Sequence, residues 1–183
     1  MSIKKILKEE LNSLSGKYEV FHGSDADFEQ FSYDFVGNGH DVEGAGFYFT
    51  SSYDNALAHG KNVKKYSITL NKVTNTSGGV NDRGFSKLIE ALMKKSPVYK
   101  DMLTNWDENL NAAHKMAFQG MMNADSQHEA FQNVWYDFYR NHSGTFLINL
   151  SKAGFDGVII PKQSGITHFV VYNNLKIELI DNG

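Results

Sequence analysis

The stretch "GAGFYFTSSYDNALAHG", residues 44–60, decides how the rest of the chain is read. Phe47, Tyr48 and Phe49 carry flat, stiff side chains that pack well on a pleated sheet, so they predict a strand. Gly44 and Gly46 supply backbone freedom just before it. Ser51 or Ser52 can cap a short helix that follows, and Gly60 can end it. Alone, the segment is an ordinary strand-turn-helix unit; its meaning depends on its neighbours.

Upstream, "KYEVFH" (17–22) reads as an apolar-rich strand. Downstream, "KYSITL" (65–70) reads as another, with Tyr66, Ile68 and Leu70 alternating. A polar, glycine-bearing loop over 23–46 joins the first two strands, with Phe28 and Phe31 as its anchors. From about 81 to 142 the period becomes helical. Phe85, Leu88, Ile89 and Leu92 make one face. Leu103, Trp106, Leu110, Ala113 and Ala117 make a second, and Phe131, Val134, Trp135 and Phe138 a third. "SQHE" (126–129) has the capping-box pattern for that last helix. "GTFLINLSKAG" (144–154) predicts a helix closed by Gly154, followed by strands in "FDGVII", "THFVVY" and "LKIELI". Strands, then helices, then strands predict one α+β domain over 1–183, with the helical zone inserted between the halves of its sheet.

The 183 residues suffice for a core without staples. With no cysteine, the chain has no disulfide framework and no thiol chemistry, which fits a reducing, cytoplasmic setting. The N-terminal "MSIKKILKEELNSLSG" spaces Ile3, Ile6, Leu7, Leu11 and Leu14 as a packing helix, and holds no apolar run of signal-peptide or membrane-span kind. Net charge is −3, from 18 basic and 21 acidic side chains mixed along the chain. No basic patch marks a dedicated duplex-binding protein, although a nucleic acid gripped at a few points stays open. The histidines form no HxxH or HxxxH pair, so no metal site is expected.

Three local features fall in order: "FHGS" (21–24), the opening stretch, and "GITHFVVYNN" (165–174). Together they resemble the ADP-ribosyltransferases of the diphtheria-toxin and poly(ADP-ribose)-polymerase type. Those carry a His on the first strand, a Tyr in a G-x-G-x-Y-F strand and a Glu on a late strand. The likeness is closest to small ADP-ribosyltransferase-like domains of phage and mobile-element proteins, through "HGSDADFEQF", "GAGFYFTSSYDNALAHG", "GFDGVII" and "HFVVYNN". It covers roughly 17–75 and 150–180, not the helical zone. It implies a split-sheet ADP-ribosyltransferase-like core with NAD as the substrate. His22 would bond the adenosine ribose, Gly23 would hold the nicotinamide carboxamide through its backbone, and Ser24 would sit on a ribose. Tyr48 would stack on one nicotinamide face. His59, eleven residues on, would take the other face, where the family usually has a second aromatic.

The resemblance departs at His168, which stands where the family's catalytic Glu belongs. His168 could bond a ribose hydroxyl. Gln163, in the loop before the strand, and then Asp156 are rivals for the missing role, with Asp41 and Glu43 further outside. Glu178 alternates with Leu175, Ile177 and Leu179 and reads as a solvated surface carboxylate. The leading expectation is a mono-ADP-ribosyltransferase acting on a macromolecule, protein ahead of nucleic acid, phage- or mobile-element-encoded and directed at host or defence machinery. The alternatives are a nucleotide- or protein-binding module on the same fold, and a NAD glycohydrolase with water as acceptor.

Overall fold

The computed structural model describes residues 14–37 and 42–181. The expected N-terminal helix, apart from Leu14, and Asp41 lie outside the described residues. Six strands, β1 (Gly16–Ser24), β2 (Phe47–Thr50), β3 (Asn62–Leu70), β4 (Gly157–Pro161), β5 (Thr167–Val171) and β6 (Ile177–Asp181), form one sheet in the order β4-β5-β2-β1-β3-β6, each pair antiparallel. The described helices are α1 (Tyr53–Leu57), α2 (Arg83–Lys95), α3 (Tyr99–Trp106), α4 (Leu110–Met122), α5 (Gln127–Phe138) and α6 (Ser143–Lys152). The chain is α+β, with α2 to α6 between β3 and β4.

The sheet has a narrow waist. β1 follows β3 from Gly16↔Leu70 to Ser24↔Asn62, whereas it meets β2 at the single register pair Phe21↔Thr50. Just past that pair, the His22 imidazole reaches across and its Nδ1 lies 2.7 Å from the Tyr48 carbonyl oxygen. A carbonyl can only accept, so Nδ1 carries the proton. A side chain thus continues a junction that backbone pairing leaves off.

Alternation along paired strands sets the faces. His22, Phe49 and Tyr66 share one face, which the 25–37 loop covers. The Phe31 ring lies 5.0 to 5.3 Å from those of His22, Phe47, Phe49 and Tyr66, and Phe28 packs on both His22 and Phe31. Both predicted anchors of that loop therefore pack on the sheet. Tyr48, Thr50, His168 and Val170 share the opposite face, through the pairs Tyr48↔Val170 and Thr50↔His168.

In the helical zone, α2 buries Phe85, Ile89 and Leu92, and α5 buries Phe131, Val134, Trp135 and Phe138. Ser126 Oγ accepts from Glu129 N at 3.1 Å, and Glu129 Oε2 accepts from Asp125 N at 2.8 Å, a near relative of the expected capping box. The second expected face is not one helix. Asp107 Oδ1 accepts from Asn109 N at 2.7 Å, and Asn109 Oδ1 then caps α4 through Asn111 N and Ala112 N. Short polar side chains thus outcompete the helical ladder between Leu103 and Ala113. Phe131 stands among Phe85, Phe146 and Phe155 at 5.2 to 6.5 Å between ring centres, so Phe131→Ala would cost about 3–5 kcal/mol.

Candidate active site

The opening stretch folds as the glycines demand. Gly44 has φ +89°, a left-handed conformation that side chains disfavour, and it turns the 42–46 loop into β2. Ser52, not Ser51, caps α1, its Oγ accepting from Asn55 N at 3.2 Å. Ser51 Oγ instead accepts from Thr167 N at 2.9 Å and extends the β2–β5 junction. Helix α1 ends at Leu57, with Ala58 as its C-cap, before Gly60 is reached.

Gly60 has a different reason to be small, and so has Gly23. A Cβ on Gly23 would sit 1.8 Å from the Ala56 carbonyl oxygen, and one on Gly60 would sit 2.2 Å from the Ser24 carbonyl carbon. The residues around the end of α1 therefore lie directly on the end of β1. The space freed by the missing Gly23 Cβ is filled by this chain's own backbone, not left open for a ligand.

His22 is half-buried among rings. Burial pushes its basicity below the ordinary value; the bond to the Tyr48 carbonyl opposes that, and the nearby charge of His59 reinforces it. The imidazole is thereby kept neutral, with Nε2 an acceptor. His59 is exposed just beyond α1, its amide bonded to Ala56 O at 2.9 Å. Ser24 Oγ accepts from Ala26 N at 3.1 Å, bracing the start of the loop.

Tyr48 turns its hydroxyl back on its own loop. The hydroxyl donates to the Gly44 carbonyl and accepts from Glu43 N at 3.3 Å. Glu43, thus anchored by its backbone, sends its carboxylate to β5, where Oε1 accepts from His168 Nδ1 at 2.9 Å and pairs with Lys162 Nζ. Its side chain is 10% exposed, that of His168 24%. Glu43 Oε2 is buried with no partner among the described residues. His128, on α5, adds a buried Nδ1 without a described partner; its basicity is lowered by burial and raised by the charge of Glu43.

Three hydrogen bonds thus form a run of four residues across β1, β2 and β5. They go from His22 to the Tyr48 backbone, from the Tyr48 hydroxyl to the Glu43 backbone and from the Glu43 carboxylate to His168. His22 lies on the sheet face opposite Tyr48 and His168. The run unites three expected site residues and adds Glu43, an outlying candidate in the sequence. Gln163 is exposed in the β4–β5 turn, where Gly165 N bonds to Lys162 O at 3.0 Å. Asp156 is structural: its Oδ2 accepts from Asn71 N at 2.8 Å and Lys72 N at 3.2 Å, tying the end of β3 to the start of β4. Glu178 is exposed and lies 3.6 Å from Lys17 Nζ. Two cavities lie elsewhere, one of about 500 Å³ beside Lys72, Phe85 and Phe155, the other of about 470 Å³ beside Tyr33, Arg140 and Ser143. Neither is lined by a residue of the run.

The sequence profile of the family described as "ADP-Ribosyltransferase in polyvalent proteins" matches residues 17–183. The chain belongs to that family. The match takes in the helical zone as well as the sheet. A search of curated proteins returned no match. Among solved structures, one described as "Crystal structure of an anti-CRISPR protein" is similar at 14% identity and TM-score 0.44, over 93% of this chain and 98% of that one. Among the described residues of the ADP-ribosyltransferase domain, no helix is long and apolar enough to cross a membrane, and no group of three or more His, Cys, Asp or Glu side chains could hold a metal.

Proposed function

We propose that this protein is a mono-ADP-ribosyltransferase that uses NAD and modifies a macromolecule, protein ahead of nucleic acid. The observation that carries the reading is the run from His22 through Tyr48 and Glu43 to His168, which links all three signature strands. Breaking the nicotinamide–ribose bond sends its electron pair to the pyridinium ring. Neutral nicotinamide leaves, and positive charge develops on the sugar. The acceptor's oxygen or nitrogen then bonds to the anomeric carbon and gives up its proton.

Preorganised groups around the sugar are the largest source of rate in such a step. Neutral His22 presents Nε2 as an acceptor to a ribose hydroxyl. The Tyr48 ring stands for one nicotinamide face and His59 for the other, with Gly23 and Ser24 bordering the carboxamide and ribose. His168, with a quarter of its side chain exposed, takes the ribose position of the family's Glu. A phage or mobile-element origin, and host or defence machinery as the target, complete the proposal.

The test is incubation with NAD labelled in the adenylate moiety and a host-cell lysate. A labelled macromolecule supports the reading. Free nicotinamide and ADP-ribose without a labelled product would make the protein a glycohydrolase. Unchanged NAD would favour a binding module, a reading whose one specific support is a histidine at position 168.

A further inference from the structure

We infer that Glu43 and His168 act as a dyad that replaces the family's catalytic carboxylate, with Glu43 the positioning residue behind a catalytic His168. The inference rests on the NAD-cleaving reading above and names how its site does without the usual Glu.

An ionised carboxylate accepts hydrogen bonds and cannot donate them. The 2.9 Å contact to Glu43 Oε1 therefore places a proton on His168 Nδ1, and the dyad uses the Nδ1–H tautomer of the imidazole. Nε2 is left as the acceptor, on a side chain still 24% exposed. A ribose hydroxyl that would have donated to a carboxylate oxygen can donate to Nε2 instead. The negative charge, one imidazole further back, still faces the developing positive charge on the sugar. Dyad and single Glu carry the same charge and accept the same proton; they differ in reach.

The surroundings are built to hold the dyad. Tyr48 Oη accepts from the Glu43 amide, so the residue that flanks the nicotinamide also sets where the carboxylate starts. Lys162 Nζ pairs with Glu43 from the β4–β5 turn, and half-buried His128 on α5 feels the charges of both Glu43 and Glu129. The Glu43 carboxylate is almost fully buried, yet its Oε2 has no described partner. A purely structural ion pair would ordinarily satisfy both oxygens, since leaving one buried and unpaired is destabilising.

Two measurements test the dyad. Nicotinamide release from NAD is followed for the wild type, Glu43→Gln, and the double variant Glu43→Gln with His168→Glu, each checked for an unchanged melting midpoint. The expected loss in Glu43→Gln is about 10²-fold or more. The double variant, with its carboxylate placed directly, should recover at least a tenth of the wild-type rate. Undiminished release in Glu43→Gln, or a double variant no better than the single one, overturns the dyad. A wild type that releases no nicotinamide sinks the NAD-cleaving reading instead. Nitrogen-15 NMR of the imidazoles reads the dyad without turnover. The Nδ1–H tautomer of His168 in the wild type, lost or mixed in Glu43→Gln, supports it; an Nε2–H tautomer in the wild type overturns it.

Discussion

Two histidines flank β2, and their surroundings differ in kind. At the β1–β2 waist, His22 is packed edge-on against Phe28 and Phe31 and bonds to a backbone carbonyl. At the β2–β5 junction, His168 bonds to a carboxylate that is itself paired with a lysine. The first environment withholds charge from its imidazole; the second concentrates charge beside one. On the proposed function, the first suits a neutral ribose and the second a cationic sugar. The same residue type stands in two different settings because its neighbours, not its own chemistry, set them.

The contrast can be broken at either junction. The largest effect is expected at the waist, with Gly23→Val. Its side chain would collide with the Ala56 carbonyl, so overpacking should cost about 3 kcal/mol or more, lowering the melting midpoint by roughly 10 °C. A midpoint unchanged in differential scanning calorimetry would show that α1 does not rest on β1 as described. Next comes His168→Ala, which should cut NAD cleavage about 10²-fold while moving the midpoint by no more than about 2 °C. A large stability loss with activity kept would assign that junction to folding.

A smaller effect concerns pH. His22 and His128 both bind protons less readily when folded, because burial disfavours their charged forms. The unfolded chain therefore takes up more protons as pH falls, and stability depends on pH accordingly. This contribution is fully present above the ordinary value of 6.5 and is lost as pH falls through the lower folded values. Urea titrations across that window should show declining stability, with a shallower slope in His22→Asn. The smallest effect belongs to Glu178→Gln. An exposed carboxylate 3.6 Å from Lys17 is screened by water, so its loss should leave both midpoint and activity within error.

The elements whose logic is local were legible in the sequence. "GFYFT" carries its strand in three aromatics, Ser126 announces α5, and the alternation of Tyr66, Ile68 and Leu70 marks β3. The break between α3 and α4 had a signal too. Asp107 and Asn109 are short polar residues suited to turns and caps, but the apolar spacing from Leu103 to Ala117 masked them. Gly23 has a packing reason to be glycine besides the backbone contact expected of it, because the space its missing Cβ frees belongs to the residues around the end of α1. That contact joins segments more than thirty residues apart, and no periodicity records it. Glu43 was hidden for the same reason, since it meets His168 125 residues along the chain. Only the β2–β5 register brings them together, and neither residue has a local pattern pointing to the other.

The run from His22 to His168 is tested most directly by a crystal structure with NAD bound. The account predicts a ribose hydroxyl within hydrogen-bond distance of His22 Nε2, the nicotinamide against the Tyr48 ring, and a hydroxyl of its ribose on His168 Nε2. NAD seated in either of the two cavities away from the run, with His22 and His168 untouched, would contradict it.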